Sequence, residues 1–366
     1  MKLFNILFLA IKESEFDFLK YRHSIDSEIY THTRFEVTHL KLAERGFTIP
    51  NHEANEVFFP GKNRFFYVPL KLILYVRRQK HDLIMVHGFT FPFQTWMLRM
   101  FIPKSTRIVI QHHAEKPFKH PVKRWFQKMA YSGADAYLFA SKELALPYFA
   151  NHIIKDQKKV YEVMEGSTLF RPQHKTKAKK RLGITNDTLF LWVGRLDQNK
   201  DPLTVLKGFL KFKEAGNTFQ LVMIYGSTEL EAEIKKYIHE NQLQNEVTLV
   251  GIIPHTELEN WYNAADYFVA ASHYEGSGIA LCEAMSCGCI PIVTGISSFL
   301  KMTDNGNFGF LFEPGNSDQL FEKLILATQT DQTEMSEKII AHFNKELSLS
   351  AIGSKIEAIA NSLLQK

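Results

Sequence analysis

Tyr274-Glu275-Gly276-Ser277-Gly278-Ile279-Ala280-Leu281-Cys282-Glu283-Ala284-Met285 follows directly on the apolar run Tyr267-Phe268-Val269-Ala270-Ala271. The order is strand, glycine turn, helix. Glycines at 276 and 278 let a backbone come close to a ligand, and the free N–H groups at the helix start, aided by its dipole, can hold a diphosphate. Ser277 and Ile279 complete that turn, and Glu283 falls more than one turn along the helix at the same end. A turn of this kind also serves many α/β proteins merely to pack a helix on a strand, so the surrounding chain has to decide. It offers Val193-Gly194-Arg195-Leu196-Asp197-Gln198-Asn199-Lys200-Asp201-Pro202, which sets Arg195 and Lys200 just beyond another strand. In an open parallel sheet, ligands bind in the crevice beyond the carboxyl ends of the strands. Two cations and a helix N-terminus gathered there would neutralise a diphosphate as it leaves. Taken singly, either cation is equally at home on the surface over Asp197 or Asp201; the pair is harder to account for that way.

Outward from this stretch the chain alternates short β-branched or aromatic runs with longer helical patterns, the signature of parallel sheets covered by helices. Strands are expected near residues 189–193, 220–225, 247–250, 267–270, 290–293 and 310–312. An earlier series falls near 3–9, 83–87, 107–111, 136–140 and 160–162, with a helix over 122–132. The chain has 366 residues, beyond the size at which one core usually stops growing. The reading is α/β, with two Rossmann-like doubly wound domains. Residues 1–170 form the first, the highly charged stretch 171–182 a linker, and 183–340 the second. The pattern is helical from about 331 onward, and 341–366 is expected to end the chain as a helix.

Hydrophobic residues make up 45% and charged residues 23%, the balance of a folded globular protein. The N-terminal Met-Lys-Leu-Phe-Asn-Ile-Leu-Phe-Leu-Ala is broken by Asn5 and followed by Lys12, Glu13 and Glu15, which fits a buried strand better than a signal peptide. No run of apolar residues is long enough to span a bilayer, so the cytoplasm is the default expectation. Cys282, Cys287 and Cys289 lie close together, but they are odd in number and lack a histidine at ligand spacing, so buried thiols are expected rather than zinc or a disulfide. Residues 1–170 carry 25 Lys and Arg against 16 Asp and Glu, and the rest carry 19 against 23. The basic half is also rich in aromatics, notably over 58–78 and 89–104. That suggests peripheral contact with an anionic membrane, set against the plainer readings of a solvated basic face and a core helix at 70–76. Nothing points to nucleic acid.

With these residues in hand, the chain resembles the family-4 retaining glycosyltransferases, which carry a Gly-Arg segment with a downstream Lys and a Glu-Gly-x-Gly turn with a second Glu eight positions after the first. The likeness is close over residues 191–315. It takes in Val250-Gly251, the 258–266 segment with Trp261 and Tyr262, Glu283-Ala284-Met285-Ser286-Cys287-Gly288 and Pro291-Ile292-Val293. The resemblance implies the GT-B fold, two such domains facing across a cleft, with the last helix returning to the first domain. It implies that Arg195 and Lys200 hold the diphosphate of a nucleotide sugar of UDP or GDP type, that Glu283 accepts from the ribose hydroxyls, and that Glu275 touches the donor sugar. A carboxylate with two acceptor oxygens suits a vicinal diol on chemical grounds as well. The first half matches more thinly. Leu40-Lys41-Leu42-Ala43-Glu44-Arg45-Gly46-Phe47 resembles the family's first helix, His81-Asp82-Leu83-Ile84-Met85-Val86-His87-Gly88 a later strand, and Ile108-Val109-Ile110-Gln111-His112 the strand ending in an active-site histidine, with His113 the adjacent contender.

Two departures stand out. The loop Ala10-Ile11-Lys12-Glu13-Ser14 has no glycine where the family has a glycine-rich approach to phosphate, and the interdomain segment reads Glu165-Gly166-Ser167-Thr168 in place of the family's Asn-Gly and Val-Asp. The expected activity is transfer of a sugar, with retention and without metal or other cofactor, to a glycan, lipid-linked or small-molecule acceptor, of the kind used in polysaccharide and cell-envelope synthesis. The expected location is cytoplasmic, at or near the inner face of the membrane. An epimerase or phosphorylase on the same fold, or a sugar-nucleotide binding protein without catalysis, are the alternatives. A dinucleotide dehydrogenase fits poorly, because no Gly-x-Gly-x-x-Gly follows the first strand.

Overall fold

The computed structural model describes residues 1–11, 27–44, 55–186 and 188–365. They divide into two compact units, Met1–Gly166 with Leu349–Lys366, and Ser167–Ser348. Lys12, Glu13 and Ser14, and the Arg45-Gly46-Phe47 end of the segment likened to a helix, lie outside the described residues.

Among the described residues the first unit is built on seven parallel strands: β1 Lys2–Ile11, β2 Glu36–Ala43, β3 Glu56–Pro60, β4 Leu83–His87, β5 Arg107–Gln111, β6 Ala136–Phe139 and β7 Val160–Glu162. Their spatial order is β3-β2-β1-β4-β5-β6-β7. Ile6 pairs with Leu40 on one side and Val86 on the other, so β1 is the strand from which the order runs both ways. Leu83, Ile84, Met85 and Val86 are all fully buried, as a strand covered on both faces requires. β2 corrects the expectation of a helix at 40–47. Leu-Lys-Leu-Ala is a good helix former, but pairing on both edges overrides that local preference. Its polar members are buried and partnered: His39 meets the Asn5 amide at 3.1 Å, and Lys41 forms an ion pair with Glu56.

The second unit has six parallel strands, β8 Leu189–Gly194, β9 Gln220–Tyr225, β10 Val247–Gly251, β11 Tyr267–Ala270, β12 Ile290–Thr294 and β13 Phe310–Phe312, in the order β10-β9-β8-β11-β12-β13. Phe190 sits at its centre, stacked on Tyr267 at 4.8 Å and edge-on to Phe209 at 5.0 Å. The stretch 171–182 is no linker. Lys175–Arg181 is a helix of this unit, with Ala178 buried. Lys175 and Lys179 reach the two carboxylate oxygens of buried Asp266 at 2.8 and 2.9 Å, and the Leu189 amide donates to the same group. The charge density that suggests a solvated connection is the partner set of a buried carboxylate, which would be costly to leave unpaired.

Helix Gln332–Glu346 belongs to the second unit, and helix Leu349–Leu364 to the first. The latter lies so close to the segment at 27–33 that a Cβ at Gly353 would be 2.7 Å from the Ile29 carbonyl. A larger residue there would have to push the helix away.

Candidate functional site

In the second unit the chain leaves β8 toward β9 on one side and, later, toward β11 on the other, so the crevice between β8 and β11 is the topological switch point of the sheet. The two stretches singled out in the sequence are the segments that leave these two strands. From β8 comes the loop with Arg195 and Lys200, closed by Asp201. Asp201 takes a left-handed backbone, φ +44°, and caps helix Pro202–Glu214 by accepting from the Thr204 amide at 3.1 Å. From β11 comes the loop that ends at Gly278, φ +66°, the residue that opens helix Ile279–Ser286. Any side chain at 278 would strain the backbone, and its Cβ would lie 2.5 Å from the Phe299 ring. Gly276 and Ser277 are buried beneath this turn, and Ile279 is exposed at its tip.

The two loops are tied to each other at several points. Lys200 and Glu275 form an ion pair, with both side chains mostly buried. The Asn199 side-chain amide donates to the Tyr274 carbonyl at 3.0 Å, and the His273 amide donates to the Asn199 carbonyl at 2.8 Å. The His273 ring lies 3.0 Å from Asp201. Arg195 differs in that its guanidinium reaches Asp197 at 2.9 Å and is otherwise largely exposed. A charge on an exposed arm beside one fixed in place suits a polyanion that arrives from solvent.

Glu283 is buried on helix Ile279–Ser286, where one carboxylate oxygen is 2.6 Å from His255 Nε2 and the other accepts from the Tyr262 hydroxyl at 3.0 Å. Burial and the adjacent carboxylate push the Tyr262 hydroxyl well above its ordinary pKa, which keeps it a donor. His255 begins helix His255–Ala264, after β10, and Phe170 stacks on it at 5.0 Å. Sequence reading passed over His255, Asn199 and His273. The available signal was a Pro-His pair opening a helix beyond a strand end.

The cysteines lie on or just after the same helix. Burial pushes the Cys282 and Cys287 thiols up to about 12, and Cys289 Sγ is 3.0 Å from the Tyr262 carbonyl. Among the described residues no group of three or more His, Cys, Asp or Glu is arranged to hold a metal ion.

In the first unit the switch point lies between β1 and β4. His112 is not brought to it as an open side chain. Its ring is 1% exposed, stacks on Phe139 at 4.6 Å, and uses Nε2 on the Glu115 carbonyl at 2.8 Å. Burial lowers its pKa, partly offset by Glu115. His113 next to it is 16% exposed, with Nδ1 3.0 Å from Glu165 and Nε2 2.8 Å from His87 Nδ1. His87 in turn contacts Asn5, so one polar string crosses β1, β4 and the ends of β5 and β7.

Residues 174–345 match the family model described as glycosyl transferases group 1. The amylovoran biosynthesis glycosyltransferase AmsK of Erwinia amylovora is 23% identical over 295 residues, 76% of this chain and 70% of that protein. The GDP-mannose:cellobiosyl-diphosphopolyprenol alpha-mannosyltransferase of Xanthomonas oryzae is 26% identical over 239 residues, 63% of this chain and 60% of that protein. The Anabaena protein Alr3699/HepE, solved with UDP and glucose, superposes with a TM-score of 0.71 at 15% identity, over 99% of this chain and 100% of that one. The fold is that of the GT-B proteins on which the chain superposes. Over residues 174–345, just under half of the chain, it is similar to the glycosyl transferases group 1 family.

Proposed function

We propose that the chain moves a hexosyl group from a nucleoside diphosphate sugar, of UDP or GDP type, to a glycan or lipid-linked acceptor, with retention at the anomeric carbon. The observation that carries this reading is the meeting of Lys200 and Glu275 across the switch point, beside the Gly276–Gly278 turn and Arg195. In this reading Arg195 and Lys200 take the diphosphate, and the first N–H groups of helix Ile279–Ser286 add their dipole to it. Glu283, already oriented by His255 and Tyr262, has lone pairs left for the ribose diol. Glu275 faces the donor sugar. The first unit's site histidine is read as His113 rather than His112, because the latter's ring is shut into the core.

The bond between the anomeric carbon and the diphosphate oxygen breaks as the acceptor oxygen bonds the same face of the sugar, and the acceptor's proton passes to the departing diphosphate. Charge grows on that diphosphate, and the two cations lower the barrier by meeting it. The Xanthomonas relative is named for GDP-mannose and a diphosphopolyprenol, and the Anabaena structure holds UDP. These names support the donor class and a lipid-linked acceptor, and they leave the base open.

Thermal-shift and calorimetric titration with UDP, GDP and their sugars is the direct experiment, since a ligand of the folded state raises its melting temperature with concentration. Binding of neither nucleotide would remove the donor reading. Isomerisation of the donor sugar without acceptor would favour an epimerase instead.

A further inference from the structure

We infer that the first unit carries a docking face for an anionic lipid leaflet, formed by residues 62–70 and helices Pro92–Phe101 and Pro121–Tyr131. Both helices depart from an ordinary surface helix in placing an amide side chain inward and large apolar side chains outward. In the first, Gln94 and Thr95 point inward, with Gln94 donating to the carbonyls of Arg64, Phe65 and Tyr67. Phe93, Trp96, Met97 and Met100, spaced along one helical face, are left half-buried or exposed. In the second, Gln127 is buried, bonded to the Phe118 amide and the Phe89 carbonyl, while Val122 and Trp125 face solvent.

The outward side chains form one patch. The Phe66 ring lies 5.4 Å from Phe93 and 5.5 Å from Phe126, and Phe126 is 5.0 Å from Trp125. Phe66 is 60% and Trp125 56% exposed, and Val68, Leu70, Met100 and Val122 are exposed with them. An exposed apolar cluster of this kind marks an interaction surface.

Charge decides the partner. The face's own segments, 62–70, 92–101 and 121–131, contain six Lys and Arg and no acid, and the stretch 61–128 around them has two acids, Asp82 and Glu115. Both acids serve backbone amides elsewhere, Asp82 that of Lys2 and Glu115 those of Phe89 and His113. Lys123 lies over the Phe65 and Phe118 rings at 5.5 and 5.7 Å, so a cation sits on the aromatic cluster itself. Aromatic and aliphatic groups that can sit among acyl chains, ringed by cations at headgroup level, are what an anionic leaflet binds. Nucleic acid would use the cations and leave Phe66, Val122, Trp125 and Met100 in water. The face itself stands without the transferase reading; only what it delivers, a lipid-linked acceptor, rests on that reading.

Sedimentation with phosphatidylcholine vesicles, with and without phosphatidylglycerol and free of any glycosyl acceptor, separates the two. The intact chain is expected to pellet with anionic vesicles at low salt and to be released as salt rises. Lys123→Gln and Arg124→Gln each lower the partition about fivefold, and Phe66→Ser with Trp125→Ser about tenfold or more. All four substitutions should leave the wild-type melting temperature and donor affinity in place. Absence of binding at low salt, or unchanged binding by the variants, overturns the inference. So does a lipid-free dimer dissolved by Phe66→Ser with Trp125→Ser, which makes the occupant a second copy, or tighter retention by duplex DNA than by anionic vesicles.

Discussion

Replacing Glu283 by Gln removes one negative charge at nearly constant volume, and the surroundings of the residue allow the consequence to be worked out. The carboxylate has about four acceptor sites, of which His255 Nε2 at 2.6 Å and the Tyr262 hydroxyl at 3.0 Å occupy one each. Two remain for a ribose diol. The introduced amide can keep Tyr262 by turning that hydroxyl into an acceptor, and its oxygen can keep His255, which leaves one site for the ligand. The nucleotide then loses one bond to a charged acceptor, worth about 1.5–3 kcal/mol, so its Kd should rise roughly ten- to 150-fold. Stability should change little. Glu283→Ala, by contrast, strands the Tyr262 hydroxyl in the interior and should also cost about 1–3 kcal/mol of folding free energy. Calorimetry with the nucleotide that binds the wild type, and with its 2′-deoxy counterpart, completes a double-mutant cycle. Loss of the 2′-hydroxyl should weaken the wild type strongly and Glu283→Gln much less. Equal losses in the two proteins, with both folded, would refute the ribose assignment.

Arg195→Ala and Lys200→Ala should each lower turnover about 100-fold or more; because Arg195 pairs with Asp197 from an exposed position, the melting temperature of its variant should stay put while kcat falls, and near wild-type rates in both variants would move the diphosphate site elsewhere. Gly278→Ala should destabilise by about 2–5 kcal/mol, from left-handed strain and the 2.5 Å approach to Phe299, with part recovered in Gly278→Ala/Phe299→Leu by urea unfolding; a cost no larger than that of an exposed helix glycine would count against the tight turn. Burial and Lys41 hold the His39 pKa down at about 4 instead of 6.5, so the unfolded chain takes up that proton first as pH falls. The stability this residue supplies is whole above 6.5 and lost down to about 4, a loss on the order of 3 kcal/mol; His39→Gln should flatten that part of the unfolding-versus-pH curve, and an unaltered slope would assign it to other groups such as His112.

The fold was legible wherever a strand is buried on both faces and written as an unbroken apolar run. Leu83–His87, Arg107–Gln111 and Tyr267–Ala270 read directly from sequence. β2 was not, because His39 and Lys41 interrupt its apolar pattern and their partners, Asn5 and Glu56, are distant in the chain. β3 escaped for a related reason. Its Phe58 and Phe59 are only half-buried, so no burial pattern separates it from the aromatic loop that follows. The charge at 171–182 misled in the opposite sense: five Lys and Arg in Lys175–Arg181 look solvated until Asp266, some 90 residues on, is known to lie beneath two of the lysines.

The candidate site divides along the same line. In the second unit each chemical part is contiguous, a strand end followed at once by its loop, so Arg195, Lys200, Glu275 and Glu283 could be named from short segments. What sequence could not supply was the support: His255 and Tyr262 orient Glu283 from another helix, and Asn199 and His273 lace the two loops together. In the first unit the polar string Asn5, His87, His113 and Glu165 is drawn from separate parts of the chain, and no local pattern announces it. Between two adjacent histidines, a motif indicates only that one of them faces outward. Packing of Phe139 and the Glu115 carbonyl against His112 shuts that ring into the core, which is the ground on which His113 is proposed. The same reasoning governs the basic aromatic surface. Leu72, Ile73 and Val76 are apolar in sequence yet buried as core, whereas Val122 and Trp125, in a helix whose sequence reads as an ordinary cationic one, stand exposed because Gln127 takes the inward position.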